Sequence, residues 1–328
     1  MKGLIFLLLL FSGLIMPNER FKNTNEEAEE KSFRDFLKWT FTNKKPELVA
    51  IDSSDEWKEL DSGSTDYMVW IGHATYLINK DNLTILTDPV FSKRASPVRF
   101  AGPKRLIPPA IPIDKLPPID VVTVSHNHYD HLDIRSLKKI YKANPEAIFL
   151  VPMGDRRRLE RKGIKNVKEF LWWDDIEIKG SKFTFTPVQH WSARGIADRN
   201  KSLWGGWFMQ FPNRTIYHAG DTGYSEDFIE TRKRLGPPDL SLIPIGAYAP
   251  QWFMSYSHVN PEEAVQISQD LGSKQSLAMH WGTFPLTDEE VLEPPVLLKK
   301  ALEEKNLDEE YFITLKPGEI FNLSPQEP

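Results

Sequence analysis

The chain contains no cysteine among its 328 residues. A disulfide is therefore excluded, and without cysteine thiolates a metal ion is expected to be held by nitrogen and oxygen ligands. The chain also lacks an excess of basic residues, because 41 Lys and Arg stand against 46 Asp and Glu for a formal net charge of -5. Proteins that bind nucleic acids generally carry a basic excess. The composition therefore predicts no nucleic-acid partner.

No apolar run reaches the length of a full membrane span, which takes about 20 residues. The nearest approach is at the N-terminus, where Lys2 precedes an apolar stretch that extends to Met16. A charged residue followed by such a stretch is typical of a signal peptide. A buried helix is the alternative. We expect residues 1–17 to be a signal peptide or membrane anchor, and the protein to be membrane-associated or exported to the extracytoplasmic (periplasmic) face.

The rest of the chain divides by composition. Residues 18–64 are largely polar, and we expect a polar linker with a short N-terminal helical extension at 33–42. Residues 65–328 are expected to form one catalytic domain, since 40% apolar and 27% charged residues are ordinary for a soluble globular protein. Short β-rich runs alternate there with helical or loop segments. The mixture predicts an α/β sandwich rather than a doubly wound parallel sheet.

The predicted strands are short apolar or β-branched runs, at 68–72, 84–87, 121–125, 147–151, 182–187, 207–211, 215–218, 240–245 and 276–279. Helices are predicted to begin near Leu132, Asp155, Pro261 and Pro295. Pro261 suits a helix start because proline has no N–H to leave unpaired in the first turn.

One segment carries the strongest chemical signal. After the apolar run 119–124, the chain continues Ser-His-Asn-His-Tyr-Asp-His. Side chains two residues apart in an extended segment point to the same side, so His126 and His128 can converge on one ion. The chain must then turn, which lets Asp130 and His131 reach a second ion. A histidine-rich turn without metal is the alternative.

This segment resembles the signature of the metallo-β-lactamase superfamily. The resemblance implies a four-layer αβ/βα sandwich with two Zn²⁺ ions per chain in the cleft between the halves. It also implies further ligands at His190, Asp221 and His280, each of which follows an apolar run. By resemblance, one zinc is held by His126, His128 and His190. The other is held by Asp130, His131 and His280, and Asp221 bridges the two.

Iron or manganese would also accept these ligands. The lack of cysteine excludes the lactamase subclass whose site contains one.

The resemblance narrows to the family of phospholipases D that hydrolyse N-acyl-phosphatidylethanolamine. It covers roughly residues 67–320 and rests on motifs at 102–105, 116–120, 125–133, 189–195, 202–207, 220–224, 243–248, 258–264 and 280–284. It implies hydrolysis of that lipid to an N-acylethanolamine and a phosphatidic acid, by attack of a metal-held hydroxide on phosphorus. The implied partners are a phospholipid substrate and a membrane surface. The oligomeric state stays open, with a homodimer as one option.

Further site residues are predicted around the ligands. Asp130, Asp221 and His258 are the predicted catalytic residues. His258 is expected to be a general acid or substrate contact, or else a helix-entry residue that bonds backbone. His73 is expected behind the metal ligands or on the cleft wall. Tyr248 and Trp252 lie in a segment expected to face the lipid.

Two other functions stay open from the sequence. Another hydrolase of the superfamily would act on a soluble phosphodiester or a phosphorylated-sugar lactone, with the same metals and a different access groove. A non-catalytic metal-binding protein would have lost a ligand, and none is missing. Nuclease members carry an inserted substrate-gripping domain, for which the chain has no spare length between the motifs.

Overall fold

The computed structural model describes residues 20–25, 31–61, 63–195 and 197–323. The signal peptide or anchor predicted at 1–17 lies outside these residues. Within the described ranges, no helix is both long enough and apolar enough to cross a membrane.

Two sheets of seven strands form the centre of the molecule. The first contains β1 (Tyr67–Gly72), β2 (Thr75–Lys80), β3 (Leu83–Thr87), β4 (Val121–Thr123), β5 (Ile148–Pro152) and β6 (Val167–Phe170). The second contains β7 (Asp175–Ile178), β8 (Ser181–Thr186), β9 (Gly206–Phe211), β10 (Arg214–His218), β11 (Leu240–Pro244), β12 (Gln275–Met279) and β13 (Phe312–Ile313). The last strand, β14 (Ile320–Asn322), returns to pair with β1.

The helices are α1 (Phe33–Thr42), α2 (Ile134–Ala143), α3 (Arg156–Glu160), α4 (Asp227–Leu235), α5 (Gln251–Met254), α6 (Pro261–Leu271) and α7 (Glu293–Glu304). Two 3₁₀ turns, Glu56–Glu59 and Glu309–Tyr311, complete the regular structure of the described residues.

The two sheets repeat one pattern of pairing. In the first, β1 to β3 are antiparallel, and β3 to β6 are parallel. In the second, β7 to β10 are antiparallel, and β10 to β13 are parallel. Parallel neighbours place the ends of successive strands at one edge. The loops that follow them are therefore brought together.

Side chains along a strand point alternately into two different cores, and this alternation builds the layers. In β1, Met68 and Trp70 join the core between the sheets, whereas Val69 and Ile71 pack in the cluster that contains Leu137 of α2. This is the period of two expected for a strand covered on both faces. The helices α6 and α7 contribute their apolar residues to the core of the second sheet. The predicted four-layer αβ/βα sandwich is thus confirmed.

Every predicted strand overlaps an observed one, and the helices expected near Leu132, Asp155, Pro261 and Pro295 are α2, α3, α6 and α7. The prediction ran two residues too far in β4, because Ser125 leaves the ladder and donates its N–H to Asp88. Other elements were missed. The edge strand β7 is largely polar and exposed, and α4 is highly charged, so neither shows clear apolar periodicity.

The N-terminal segment differs in part from the polar linker expected over 18–64. The short helix at 33–42 is present as α1, which begins with a capping box of Ser32 and Asp35. Residues 20–25, however, lie on the catalytic domain. Phe21 donates its N–H to the carbonyl of Asn200 at 2.8 Å, and Asn23 is buried. Polar side chains of this segment find polar partners in the domain, which composition cannot disclose.

Candidate metal centre

The predicted ligands lie on loops that follow strands of both sheets. His126 and His128 follow β4, His190 follows β8, and Asp221 and His280 follow β10 and β12. A close approach of backbone brings two of these loops together. Gly220 has a φ of +65°, and a Cβ added there would lie 2.6 Å from Cβ of Ser125. Only glycine fits this position without displacement.

The first predicted group of ligands is assembled. Nδ1 of His128 lies 2.8 Å from Nε2 of His126 and 3.2 Å from Nε2 of His190. The rings of His126 and His190 are fully enclosed. Three imidazole nitrogens therefore face one point.

The second predicted group is also assembled, with one addition. Oδ2 of Asp130 lies 3.6 Å from Nε2 of His131 and 3.5 Å from Nε2 of His280. His73 joins this group, because its Nε2 lies 3.0 Å from the same carboxylate oxygen. The His73 side chain is buried and has a φ of 56°, in the left-handed region. It lies against a predicted ligand rather than on an open wall of the cleft.

Asp221 lies between the two groups. Its Oδ2 is 3.0 Å from Nε2 of His131 and 3.8 Å from Nε2 of His126, and its Oδ1 is 3.0 Å from Nε2 of His280. One carboxylate thus faces nitrogens of both groups, which is the arrangement a bridging ligand requires.

The two groups of ligands differ in the charge that their imidazoles carry at pH 7. Burial, reinforced by neighbouring imidazoles, lowers the pKa of His128 to about 4 and the pKa of His126 and of His190 well below the ordinary value. These rings are neutral at pH 7, which is the form that ligates metal. Burial also acts to lower the pKa of His131 and His280. The carboxylates outweigh it, raising the pKa of His131 well above the ordinary value and that of His280 to about 9.

A cation fits this set of donors. The carboxylate of Asp221 is buried and that of Asp130 is 13% exposed. The surrounding histidines hold the pKa of each well below the ordinary value although burial opposes this. Two negative charges in this centre require positive partners, which are the protonated His131 and His280 as long as no metal ion displaces their protons. Nε2 of His128 is buried without a hydrogen-bond partner. Neutral imidazoles and carboxylates converging in this way suit a transition metal.

Polar groups behind the ligands orient the imidazoles. Oδ2 of Asp88 lies 2.7 Å from Nδ1 of His131 and accepts a hydrogen bond from Ser125 Oγ at 2.6 Å. The carbonyl of Ser257 lies 2.9 Å from Nδ1 of His190. Partners of this kind set which ring nitrogen faces a metal. The sequence prediction missed Asp88, although its position directly after the buried strand β3 was a usable signal.

Of the remaining predicted residues, His258 lies next to the ligands. Nδ1 of His258 lies 4.0 Å from Oδ2 of Asp221, and burial lowers the His258 pKa to about 4. Its backbone N–H bonds the carbonyl of Met254. Tyr248 is buried, whereas Trp252 in α5 is 39% exposed, with Nζ of Lys38 4.4 Å from its ring centroid. The structure brings His258 to the ligands and Trp252 to the surface.

Known proteins resemble this chain in sequence. A family model described as the beta-lactamase superfamily domain matches residues 84–281. The N-acyl-phosphatidylethanolamine-hydrolyzing phospholipase D 1 of Caenorhabditis elegans is 40% identical over 270 residues, which cover 79% of this chain and 76% of that protein. The mitochondrial N-acyl-phosphatidylethanolamine-hydrolyzing phospholipase D of Saccharomyces cerevisiae is 37% identical over 72% of this chain, which spans only 52% of the yeast protein.

Solved structures share the fold. Igni18, a metallo hydrolase from Ignicoccus hospitalis, aligns with a TM-score of 0.60 at 21% identity, covering 79% of this chain and 98% of that one. An isothiocyanate hydrolase from Delia radicum gut bacteria aligns with a TM-score of 0.63 at 19% identity, covering 78% of this chain and 98% of that one. These two similarities concern the fold alone.

The sequence similarities together with the cluster of histidines and carboxylates establish a metal-binding enzyme of the metal-dependent hydrolase class. The chain belongs to the beta-lactamase superfamily and, within it, to the N-acyl-phosphatidylethanolamine-hydrolysing phospholipase D family.

Proposed function

We propose that the protein binds two Zn²⁺ ions and hydrolyses the phosphodiester of N-acyl-phosphatidylethanolamine, releasing an N-acylethanolamine and a phosphatidic acid. The position of Asp221 between two groups of ligands carries the proposal, since it suits one bridged pair of ions. The named activity of the worm and yeast relatives supports the choice of substrate.

The residues proposed to hold one ion are His126, His128 and His190. Those proposed for the other are Asp130, His131 and His280, with Asp221 shared. When bound, two such ions supply an activated water with a pKa of about 7 and stabilise negative charge on phosphate oxygens. The protein supplies the geometry. The Asp88 carboxylate orients His131, and His73 holds the Asp130 carboxylate in place.

His258 is proposed to meet the substrate at the edge of the centre. Its side chain is 16% exposed, and its ring lies 5.3 Å from that of His190. With a pKa lowered to about 4 by burial, the ring is neutral at pH 7. Proton donation to a leaving oxygen would therefore require an arriving phosphate to raise that pKa.

A groove of mixed apolar and charged lining suits acyl chains, and it shares Leu106 and Leu286 with a smaller cavity lined by His280. The groove has a volume of about 810 Å³ and is lined in part by Trp39, Leu48, Leu106 and Leu286. Trp39 stacks on Phe253 of α5 with ring centroids 5.3 Å apart, next to Trp252. We propose that the lipid tails lie along this side of the cleft, and that Trp252 and Tyr248 belong to the lipid-facing wall.

Product analysis tests the proposal. Zinc-loaded protein is incubated with N-acyl-phosphatidylethanolamine in mixed micelles, and the products are identified by mass spectrometry. We expect an N-acylethanolamine and a phosphatidic acid. Parallel reactions contain a soluble phosphodiester and a phosphorylated-sugar lactone. Turnover of either soluble substrate with no cleavage of the lipid would replace the proposed substrate by that alternative.

A further inference from the structure

Two segments of this acidic protein carry only positive charge. Residues 89–113 contain Lys93, Arg94, Arg99, Lys104 and Arg105 and no Asp or Glu. The helix α2 contains Arg135, Lys138, Lys139 and Lys142, also without an acidic residue. In a chain with a formal net charge of -5, such segregation marks a local positive potential.

The fold brings these segments to one groove. It has a volume of about 410 Å³, and its cationic lining residues are Lys93, Arg94, Arg99, Arg135 and Lys139. None of the five forms an ion pair within the part of the chain that the structure describes. Arg135 instead donates to the carbonyl of Pro97 and Arg94 to that of Gly102. The charges are therefore available to an anionic partner.

An exposed aromatic ring lies in the same loop. Phe100, which directly follows Arg99, is 83% exposed. Arg94 also lines the larger groove described above, where Lys44, Lys45 and Lys104 surround apolar side chains. Cations around exposed apolar groups are the composition of surfaces that enter the headgroup region of a bilayer.

Side-chain contacts link this surface to the metal centre at two points. Ser92 donates its N–H to Asp133, which follows His131 by two residues, at 3.0 Å. At the other end of the loop, the Arg105 guanidinium lies 5.0 Å from the ring centroid of Phe284, which packs edge-on against His73. A membrane bound here would lie beside the catalytic cleft.

We propose that these residues form a docking face for an anionic phospholipid bilayer, with Phe100 entering the interface. The face consists of Lys93, Arg94, Arg99, Phe100, Arg135 and Lys139. The inference rests on the proposed lipid substrate and names the surface through which the enzyme reaches it.

The test compares binding of the full-length chain to vesicles of phosphatidylcholine alone and of phosphatidylcholine with phosphatidylglycerol. Each cation near an anionic surface contributes roughly a fivefold factor to binding. The triple variant Arg99→Gln, Arg135→Gln, Lys139→Gln is therefore expected to lose about 100-fold of the preference for anionic vesicles at low salt. High salt should remove the same preference from the unmodified protein. Phe100→Ala should lower the binding that survives high salt.

A matched variant controls for net charge. Lys274→Gln, Lys299→Gln, Lys300→Gln removes three exposed cations on or near the helices of the second sheet, and it should keep the anionic preference. The proposed docking face would be overturned if the two triple variants bound anionic vesicles with equal preference. It would also be overturned if the unmodified protein showed no preference for anionic vesicles. Hydrolysis of a soluble phosphodiester should be unchanged in both variants, which separates failure of docking from failure of the proposed catalysis.

A second inference comes from the N-terminal segment. The side-chain amide of Asn23 uses its full hydrogen-bonding capacity. Its Nδ2 donates to the carbonyl of His190 at 2.9 Å and to Oη of Tyr256 at 2.8 Å. Its Oδ1 accepts from the N–H of His190 at 3.1 Å and from Nε1 of Trp204 at 2.8 Å. One side chain thus pairs with both backbone groups of His190.

These bonds hold a proposed zinc ligand from behind. The chain around His190 lies in no strand, and its neighbour Gln189 makes only an isolated bridge to Gly223. Asn23 therefore takes the place of a neighbouring strand, while Ser257 orients the imidazole. We infer that Asn23 is a positioning residue for the first ion, so that residues 20–25 are part of the catalytic unit. This inference rests on the proposed metal role of His190.

Metal affinity tests this role without reference to activity. Changes in groups that orient metal ligands typically weaken metal binding by about 10- to 100-fold, and we expect Asn23→Ala to do so in a chelator competition. Asn23→Asp keeps an acceptor for the His190 N–H. Its metal affinity should therefore lie between that of the unmodified protein and that of Asn23→Ala. Thr24→Ala is the matched control, because Thr24 bonds Asp227 at 2.6 Å and makes no bond to a proposed ligand.

Unchanged metal affinity in Asn23→Ala, or an equal loss in Thr24→Ala, would overturn the positioning role. If Asn23→Ala does not fold, the metal affinity of Asn23→Asp tests the positioning role in its place. Absence of metal binding by the unmodified protein would instead refute the proposed function.

Discussion

The carboxylate of Asp88 supports His131 from the side opposite the proposed metal, with Oδ2 2.7 Å from Nδ1 of the ring. Both side chains are fully buried. Burial alone would raise the Asp88 pKa, but His131, His218 and Ser125 together lower it. The negative charge therefore persists in the core, and it holds the His131 ring so that Nε2 faces Asp130 and Asp221.

Asp88→Asn is expected to weaken both metal binding and folding. The change removes the charge that orients His131, so metal affinity should fall by about 10- to 100-fold. Breaking a buried ion pair costs about 3–5 kcal/mol in the free energy of unfolding. Chelator competition and urea denaturation of metal-free protein measure the two effects. The control Asp120→Asn alters a partly exposed carboxylate at the far end of β4. Comparable metal loss there would contradict the orienting role.

Metal binding at pH 7 is expected to release at least about two protons per chain, since ligands must be deprotonated to bind and a metal-activated water adds to the count. Without metal, His131 and His280 are protonated, because their pKa values are raised, to about 9 for His280. A raised folded-state pKa contributes stability below the ordinary histidine value that is lost as the pH rises through about 9. Titration calorimetry in buffers of different ionisation enthalpy counts the protons. A count near zero would contradict this assignment of charge.

Asp221→Asn is expected to lower kcat by at least about 100-fold, because it removes negative charge that offsets a pair of cations and alters the shared ligand. The size of the side chain is kept. Steady-state kinetics and elemental analysis measure turnover and metal content, which should be reduced or uneven. The loss should be the same for a good and a poor leaving group. Full activity of the variant would contradict the bridged two-metal site.

His258→Ala is expected to keep both metals and to lower turnover of a lipid diester. If His258 protonates the leaving oxygen, the loss should shrink for a nitrophenyl ester, whose leaving group needs no proton. The comparison is of kcat on the two substrates. Equal losses on both would exclude a general acid and leave a positioning role, in line with the pKa of about 4 that burial imposes on the ring.

The proposed localisation rests on residues 1–17. Full-length protein is expected in membrane or extracytoplasmic fractions, because Lys2 and the following apolar stretch are typical of a targeting segment. A chain that begins at Asn18 keeps Asn23 and should stay folded in the cytosol. Cell fractionation with a metal-affinity measurement on each protein distinguishes targeting from damage to the site. The same soluble distribution for both would contradict targeting by residues 1–17.

The first four proposed ligands could be predicted from the sequence because they lie in one local pattern. His126, His128, Asp130 and His131 fall within six residues after an apolar run. His190, Asp221 and His280 were implied by the family resemblance, and each of them also follows an apolar run. A strand that ends in polar residues is visible without knowledge of its neighbours. The same patterns predicted the strands that hold the sheets together, which is why the α/β sandwich was predicted as well.

The sequence by itself determined the residue types of the proposed ligands, their positions in loops after strands and the absence of any cysteine thiolate. Only the tertiary structure decided which distant groups meet them. Asn23 reaches His190 across 167 residues, Asp88 reaches His131, and the cations of 89–113 meet those of α2. A hydrogen bond or a groove between remote segments depends on how the chain folds back. It leaves no periodicity in the sequence from which the contact could be predicted.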